Sequence, residues 1–141
     1  MLELEGKTAL VFGVASEDSI AWAICQRLAE AGCNLILGFQ PRYRSRLFQL
    51  KDQLTAIEAF YPCDVASDEQ TKEFFDEWQK ESPGAKADIL VHAIGFAPRD
   101  TFDRHMLFNE MDSIDLAMRV SAHSLQRLMR HAVPYLNPNS S

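Results

Sequence analysis

The chain has 141 residues, enough for one domain with a hydrophobic core and too few for two. An apolar fraction of 47% excludes disorder as the default state. Twenty acidic against 14 basic residues give a net charge of −6, which argues against a nucleic-acid partner held by phosphate neutralisation.

Cys25, Cys33 and Cys63 are odd in number and show no C-x-x-C spacing, so they read as reduced, buried thiols rather than a disulfide or zinc site. The N-terminus lacks the basic-then-apolar pattern of a signal peptide. No apolar run approaches the roughly 18–20 residues that cross a bilayer. A cytoplasmic protein without a membrane or nucleic-acid partner is the expectation.

Along the chain, Thr8 to Gly13 is an apolar run ending in glycine, as in a strand buried on both faces. Ser19 then precedes Ile20, Ala23, Ile24, Leu28 and Ala31, which recur at helical spacing and stop at Gly32. Cys33 to Phe39 reads as a second buried strand, followed by a basic amphipathic stretch with Tyr43, Leu47, Leu50 and Leu54 along one side. Ala56 to Tyr61 is the third strand. Ser67 and Gln70 have the spacing of a capping box, opening a helix whose inner face carries Phe74, Phe75 and Trp78 and which ends at Ser82-Pro83-Gly84. Asp88 to Ile94 is the fourth strand, closing on Gly95. A long helix is predicted from about Met111 to Leu136, with Ile114, Met118, Ser121, Leu125, Leu128 and Ala132 inward.

Strands this apolar, alternating with amphipathic helices, imply a parallel sheet covered on both faces. Right-handed crossovers make it a doubly wound, Rossmann-type α/β sheet of strand order 3-2-1-4. The whole of 1–141 is expected to be one dinucleotide-binding domain. In the first strand-to-helix turn, Gly13 allows the backbone to turn without a Cβ, and Ser19-Ile20 offer a helix N-terminus to a pyrophosphate. Ser19 can instead cap the helix. The G-x-G-x-x-G pattern is absent, so spacing alone leaves open a glycine-ended strand followed by a capped helix.

The residues match a narrower pattern. The turn G-V-A-S-x-x-S-I-A from Gly13, Gln40 after strand two, Cys63-Asp64-Val65, and His92-Ala93-Ile94-Gly95-Phe96-Ala97-Pro98 closely resemble bacterial enoyl-acyl-carrier-protein reductases. These are divergent short-chain dehydrogenases/reductases, and the resemblance runs from Gly6 to about Pro138. It implies an NAD(H) site, NADPH not being excluded. Gly13 would face the cofactor, Ser19 and Ile20 would lie at its pyrophosphate, Gln40 at the adenosine ribose, and Asp64 and Val65 at the adenine. Ile94 and Gly95 would lie at the nicotinamide-side ribose, and Ala97 on the acyl-substrate side. The bland alternatives are a turn-capping Asp64 and a surface Gln40. His92, in an apolar strand, reads as a hydrogen-bonded core histidine, and His105, His123 and His131 share no metal-ligand spacing.

Two features depart from the family. Glu17 and Asp18 stand just before the helix start that would receive a pyrophosphate, so weakened cofactor binding is expected. The family's catalytic tyrosine and lysine, which hold the enolate and the nicotinamide ribose, are missing. Neither Tyr-x-x-x-Lys nor Tyr-x-x-x-x-x-x-Lys occurs. The reading is therefore the N-terminal half of a larger reductase fold, ending before strand five, with no catalytic residue and no activity alone. Strand four is expected as an unpaired edge, leaving the chain poorly stable or prone to self-association. The complete enzyme would act on an acyl-carrier-protein-bound trans-2-enoyl thioester in fatty-acid elongation, as a homo-oligomer, a tetramer by family. The alternatives are a ketone or alcohol reductase of the same superfamily, and a non-catalytic dinucleotide-binding or interaction domain. In the latter, the Met111–Leu136 helix serves association.

Overall fold

A computed structural model describes residues 4–141. Four strands, β1 (Thr8–Phe12), β2 (Asn34–Phe39), β3 (Ile57–Pro62) and β4 (Ile89–His92), form one parallel sheet of order β3-β2-β1-β4. The expected order 3-2-1-4 is therefore the observed one. The helices are α1 (Ile20–Glu30), α2 (Arg44–Leu50), α3 (Asp68–Glu81), α4 (Met111–Met118) and α5 (Ser124–Ala132).

Side chains alternate across a strand, so each apolar strand feeds two cores at once. Ala9 and Val11 of β1, with Leu35, Leu37 and Phe39 of β2, pack against Trp22 and Cys25 of α1 and Leu47 and Leu50 of α2. Leu10, Phe12, Ile36 and Tyr61 point the other way, to Phe74, Phe75 and Trp78 of α3 and Leu128 and Ala132 of α5. Phe12 and Phe74 meet with ring centroids 4.8 Å apart. Burial pushes the thiols of Cys25 and Cys63 up to about 12, so both stay neutral within these cores.

The α3 cap sharpens the expected capping box. Ser67 Oγ accepts from the Gln70 N–H at 3.2 Å, but Gln70 Oε1 accepts from the Asp64 N–H at 3.0 Å rather than closing back on Ser67. The box thus reaches one turn further and pins Asp64.

Two expectations need correction, and packing chooses the inner face of α1. Helix α1 carries two apolar stripes, and the one that packs inward is Ala21, Trp22 and Cys25; Ile20 is 77% exposed. Ile20, Ala23, Ile24, Leu28 and Ala31 line a shallow groove with Leu4 and Arg27, and Leu28 and Leu4 also pack against the core beneath α1. Helical spacing in the sequence picks out the row from Ile20 to Ala31, and packing on the sheet is what brings Ala21, Trp22 and Cys25 inward. In the long helix, Met118 and Leu125 are exposed, whereas Ser124, Leu128 and Ala132 are buried. The cause is a π turn over Arg119–His123. Its wider turn cancels the drift that four-residue steps accumulate on an α-helix, so Leu116, Val120, Ser124, Leu128 and Ala132 form the inner row.

The outer edge of β4 is also not bare. The Asn137 N–H donates to the Ala87 carbonyl, Ser141 N–H to the Asp88 carbonyl, and Leu90 N–H to the Ser141 carbonyl, each at 2.8 Å. These bonds, with a parallel bridge between Ala87 and Leu136, cover the first half of that edge. The carboxylate of Asp88 draws this end together, accepting from Lys7 Nζ at 3.1 Å, the Thr8 N–H at 3.1 Å and Asn137 Nδ2 at 3.0 Å. Burial alone would raise its pKa, but these bonds hold it below the usual carboxylate range.

Candidate functional site

Register decides what meets at the carboxyl ends of the strands. Phe12 lies level with Gly38 on β2 and with His92 on β4, so Gly13 comes beside Ala93, whose N–H bonds the Phe12 carbonyl at 3.0 Å. On the other side the Cys63 N–H bonds the Phe39 carbonyl at 2.7 Å, which sets Gln40 and Asp64 on neighbouring chain ends. Strand order reverses between β1 and β4, and an open α/β sheet binds ligands at such a crevice.

A cleft of about 420 Å³ opens there. Its walls are Gly13 to Ala15, Gly38, Gln40, Arg42, Tyr43, Cys63 to Ala66, Ala93 to Phe96, and Leu116, Arg119 and Val120. Its charged side chains are Arg42 and Arg119 against Asp64, a local excess of cations in a chain of net charge −6. That balance suits an anion.

Of the residues expected at a cofactor, Gly13, Gln40, Asp64, Val65, Ile94 and Gly95 come together in this cleft from four separated segments. Gly13 adopts φ +119°, which L side chains rarely do. A Cβ there would sit 2.7 Å from the Ala93 carbonyl carbon, and closer still to its oxygen. Gly95 is the opposite case: an added Cβ would meet nothing within 4 Å, so open space stands above its backbone. Asp64 Oδ1 accepts from the Ala66 N–H at 2.9 Å, so the carboxylate caps its turn as well as lining the cleft.

Ser19 and Ile20 lie outside the walls of this cleft. The Ser19 hydroxyl donates to the Ser16 carbonyl at 2.6 Å and accepts from the Trp22 N–H at 3.3 Å, which makes it the cap of α1. Among the described residues, the N–H groups of Ile20 and Ala21 meet no protein acceptor and stay available to an anion. Glu17 and Asp18 are exposed and line no part of the cleft, and Ala97 lies just beyond Phe96.

Two serines on the long helix organise the end of β4. Ser124 Oγ donates to the Val120 carbonyl at 2.6 Å, so at 2.7 Å it accepts from His92 Nε2–H, which settles the histidine tautomer. Burial lowers the His92 pKa and keeps the ring neutral, as a core histidine requires. Ser121 Oγ holds the Phe96 backbone by both its N–H and its carbonyl, each at 2.9 Å. From the same helix, Arg127 Nη1 donates to the Val65 carbonyl at 2.7 Å, while Arg130 and His131 pair with Asp68.

Leu116, Arg119 and Val120 have no counterpart in the sequence reading. Helix spacing placed them on a helix, but nothing local to them signals that the π turn rolls them over the end of β4. Among the described residues no group of three His, Cys, Asp or Glu could hold a metal ion, and no helix is long and apolar enough to cross a membrane.

The model of a family described as enoyl-(acyl carrier protein) reductase matches residues 13–141. The enoyl-[acyl-carrier-protein] reductase [NADH] FabI of Nostoc sp. is 34% identical over 100% of this chain and 55% of its own length. The Enterococcus faecalis FabI is 33% identical over 97% of the chain and 53% of its own length. A Bacillus cereus enoyl-acyl carrier protein reductase, solved with NADP+ and an indole naphthyridinone, superposes with a TM-score of 0.88 at 34% identity. That match covers 96% of this chain and 53% of the solved one, so the chain spans about half the length of the relatives it matches. By fold, by the cleft at its strand ends and by a family match over nearly its whole length, the chain belongs to the enoyl-(acyl carrier protein) reductase family.

Proposed function

We propose that this chain is the dinucleotide-binding portion of an NADH-dependent enoyl-acyl-carrier-protein reductase, and that by itself it binds cofactor without turning over substrate. The observation that carries the reading is the gathering of Gly13, Gln40, Asp64, Val65, Ile94 and Gly95 around one cleft at the strand-order reversal. Its volume of about 420 Å³ falls in the range of small-ligand sites.

In this reading each residue has a task set by its geometry. Gly13 lets the first turn approach β4 closely, and the free N–H groups at the start of α1 receive the pyrophosphate. Asp64, already anchored by the Ala66 N–H, accepts from the adenine amine with its remaining capacity. Gln40 hydrogen-bonds an adenosine ribose hydroxyl. Ile94 packs against the nicotinamide-side ribose while Gly95 leaves room for it, and Ala97 borders the acyl side. In the complete enzyme, a dinucleotide held by these residues would supply hydride for the β-carbon of a trans-2-enoyl thioester. The tyrosine that would hold the enolate and the lysine that would hold the nicotinamide ribose do not occur in this chain at either family spacing.

In the complete protein the substrate is an enoyl chain on acyl carrier protein, in fatty-acid elongation in the cytoplasm, and the working form is a homo-oligomer. Support for association comes from Phe102, Met106, Leu107 and Phe108, which are all exposed ahead of α4. That surface also favours a second reading, an interaction domain that binds no dinucleotide. Titration of the 141-residue chain with NADH, followed by nicotinamide fluorescence, separates the two. Saturable binding weakened by Asp64→Ala supports the first reading. No binding at millimolar NADH refutes it.

A further inference from the structure

We propose that Ser121 is a positioning residue for the nicotinamide end of the cleft: its hydroxyl holds the peptide groups of Phe96, so that the backbone around Gly95 stays in place for the nicotinamide-side ribose. The proposal rests on the dinucleotide reading above and adds to it a residue that lies behind the cleft wall.

The segment that Ser121 holds has little else to fix it. Strand β4 ends at His92, and beyond it the Ala93 N–H still bonds the Phe12 carbonyl at 3.0 Å. From Ile94 to Ala97, among the described residues, the backbone hydrogen-bonds the protein only through Phe96, and both bonds go to Ser121. The hydroxyl accepts from the Phe96 N–H and donates to the Phe96 carbonyl, each at 2.9 Å. It thereby sets two successive peptide planes, Gly95–Phe96 on the ribose side and Phe96–Ala97 on the acyl side. A trans peptide carries its C=O opposite its N–H, so the Gly95 carbonyl is turned away from the helix and left free to accept from the cofactor.

Solvation does not require these bonds. Phe96 is 37% exposed, so water can satisfy both peptide groups without Ser121. What the hydroxyl adds is a fixed direction. The serine lies within the π turn Arg119–His123, a feature that recurs at functional sites. Three residues on, Ser124 bonds His92 at 2.7 Å, which fastens the same helix to the end of β4 and leaves Ser121 little freedom to follow a moving loop.

The test titrates the full chain by calorimetry with NADH and with ADP-ribose, which lacks the nicotinamide, in the native sequence and in S121A and S121T. Hydrogen exchange of the Phe96 amide is followed beside it. S121A should weaken NADH roughly 5- to 10-fold, as loss of one net hydrogen bond does, and leave ADP-ribose within about 2-fold, which reports that the variant is folded. S121T keeps the hydroxyl on a stiffer side chain and should restore NADH affinity to within about 3-fold of the native value. Exchange of the Phe96 amide should quicken in S121A and not in S121T. NADH binding unchanged in S121A, or weakened in S121A and S121T alike, overturns the proposal. An equal loss of NADH and ADP-ribose does so too, because it marks a purely structural serine. Each of these results leaves the dinucleotide reading standing, whereas a native chain that binds neither NADH nor ADP-ribose overturns both.

Discussion

Replacing Gly13 with alanine should damage the fold, while the same change at Gly95 should damage only ligand binding. At Gly13 the new Cβ lies 2.7 Å from the Ala93 carbonyl carbon, so backbone rather than a flexible side chain must move. A φ of +119° adds strain of about 1–3 kcal/mol for a non-glycine residue. Pushing Ala93 away also lengthens its 3.0 Å bond to the Phe12 carbonyl, which is worth about 1 kcal/mol. The sum is about 2–4 kcal/mol, a large part of the ~5–15 kcal/mol stability usual for a domain. At Gly95 the Cβ meets nothing, so the stability change should stay within about 0.5 kcal/mol. It would, however, fill space assigned to the cofactor and weaken NADH binding. Urea denaturation followed by tryptophan fluorescence, with Trp22 and Trp78 both buried, measures the first effect, and NADH titration the second. Equal stability of G13A and the native chain would refute the close-approach argument, and unaltered NADH binding by G95A would refute the assignment of that space.

Three further outcomes are expected. His92 has a folded-state pKa lowered by burial, so its neutral form contributes stability that is full above its ordinary value of 6.5 and is lost as pH falls through the lowered value; an NMR titration in which the folded ring protonates above 6.5 would contradict this. Arg127→Ala removes the donor to the Val65 carbonyl and should cost about 1–2 kcal/mol and loosen the Asp64–Val65 loop, read by hydrogen exchange of that segment. Removing residues 137–141 strips the bonds to Ala87, Asp88 and Leu90 and should raise self-association in light scattering; a shortened chain as monodisperse as the intact one would show that this cover does not protect the edge.

Much of the site was legible because its residues are tied to strand ends. A glycine directly after a buried strand, a glutamine after the next and Asp64-Val65 after the third all fall at one end of any parallel sheet, whatever the helices do. Ser19 shows the limit: the sequence allowed a cap or a phosphate donor, and its two hydrogen bonds make it the cap. Arg119, Leu116 and Val120 were not legible as site residues, because their place depends on the roll of a helix that crosses back over β4.

The order of elements, the parallel sheet and the two-sided core follow from the sequence itself, since apolar runs and helical spacing record burial residue by residue. Tertiary structure alone decided which stripe of α1 packs inward, where the π turn rolls the long helix, and how 137–141 cover the edge of β4. Each is a choice between locally equivalent arrangements. It is settled by contacts between residues far apart in the chain, which no short stretch of sequence encodes.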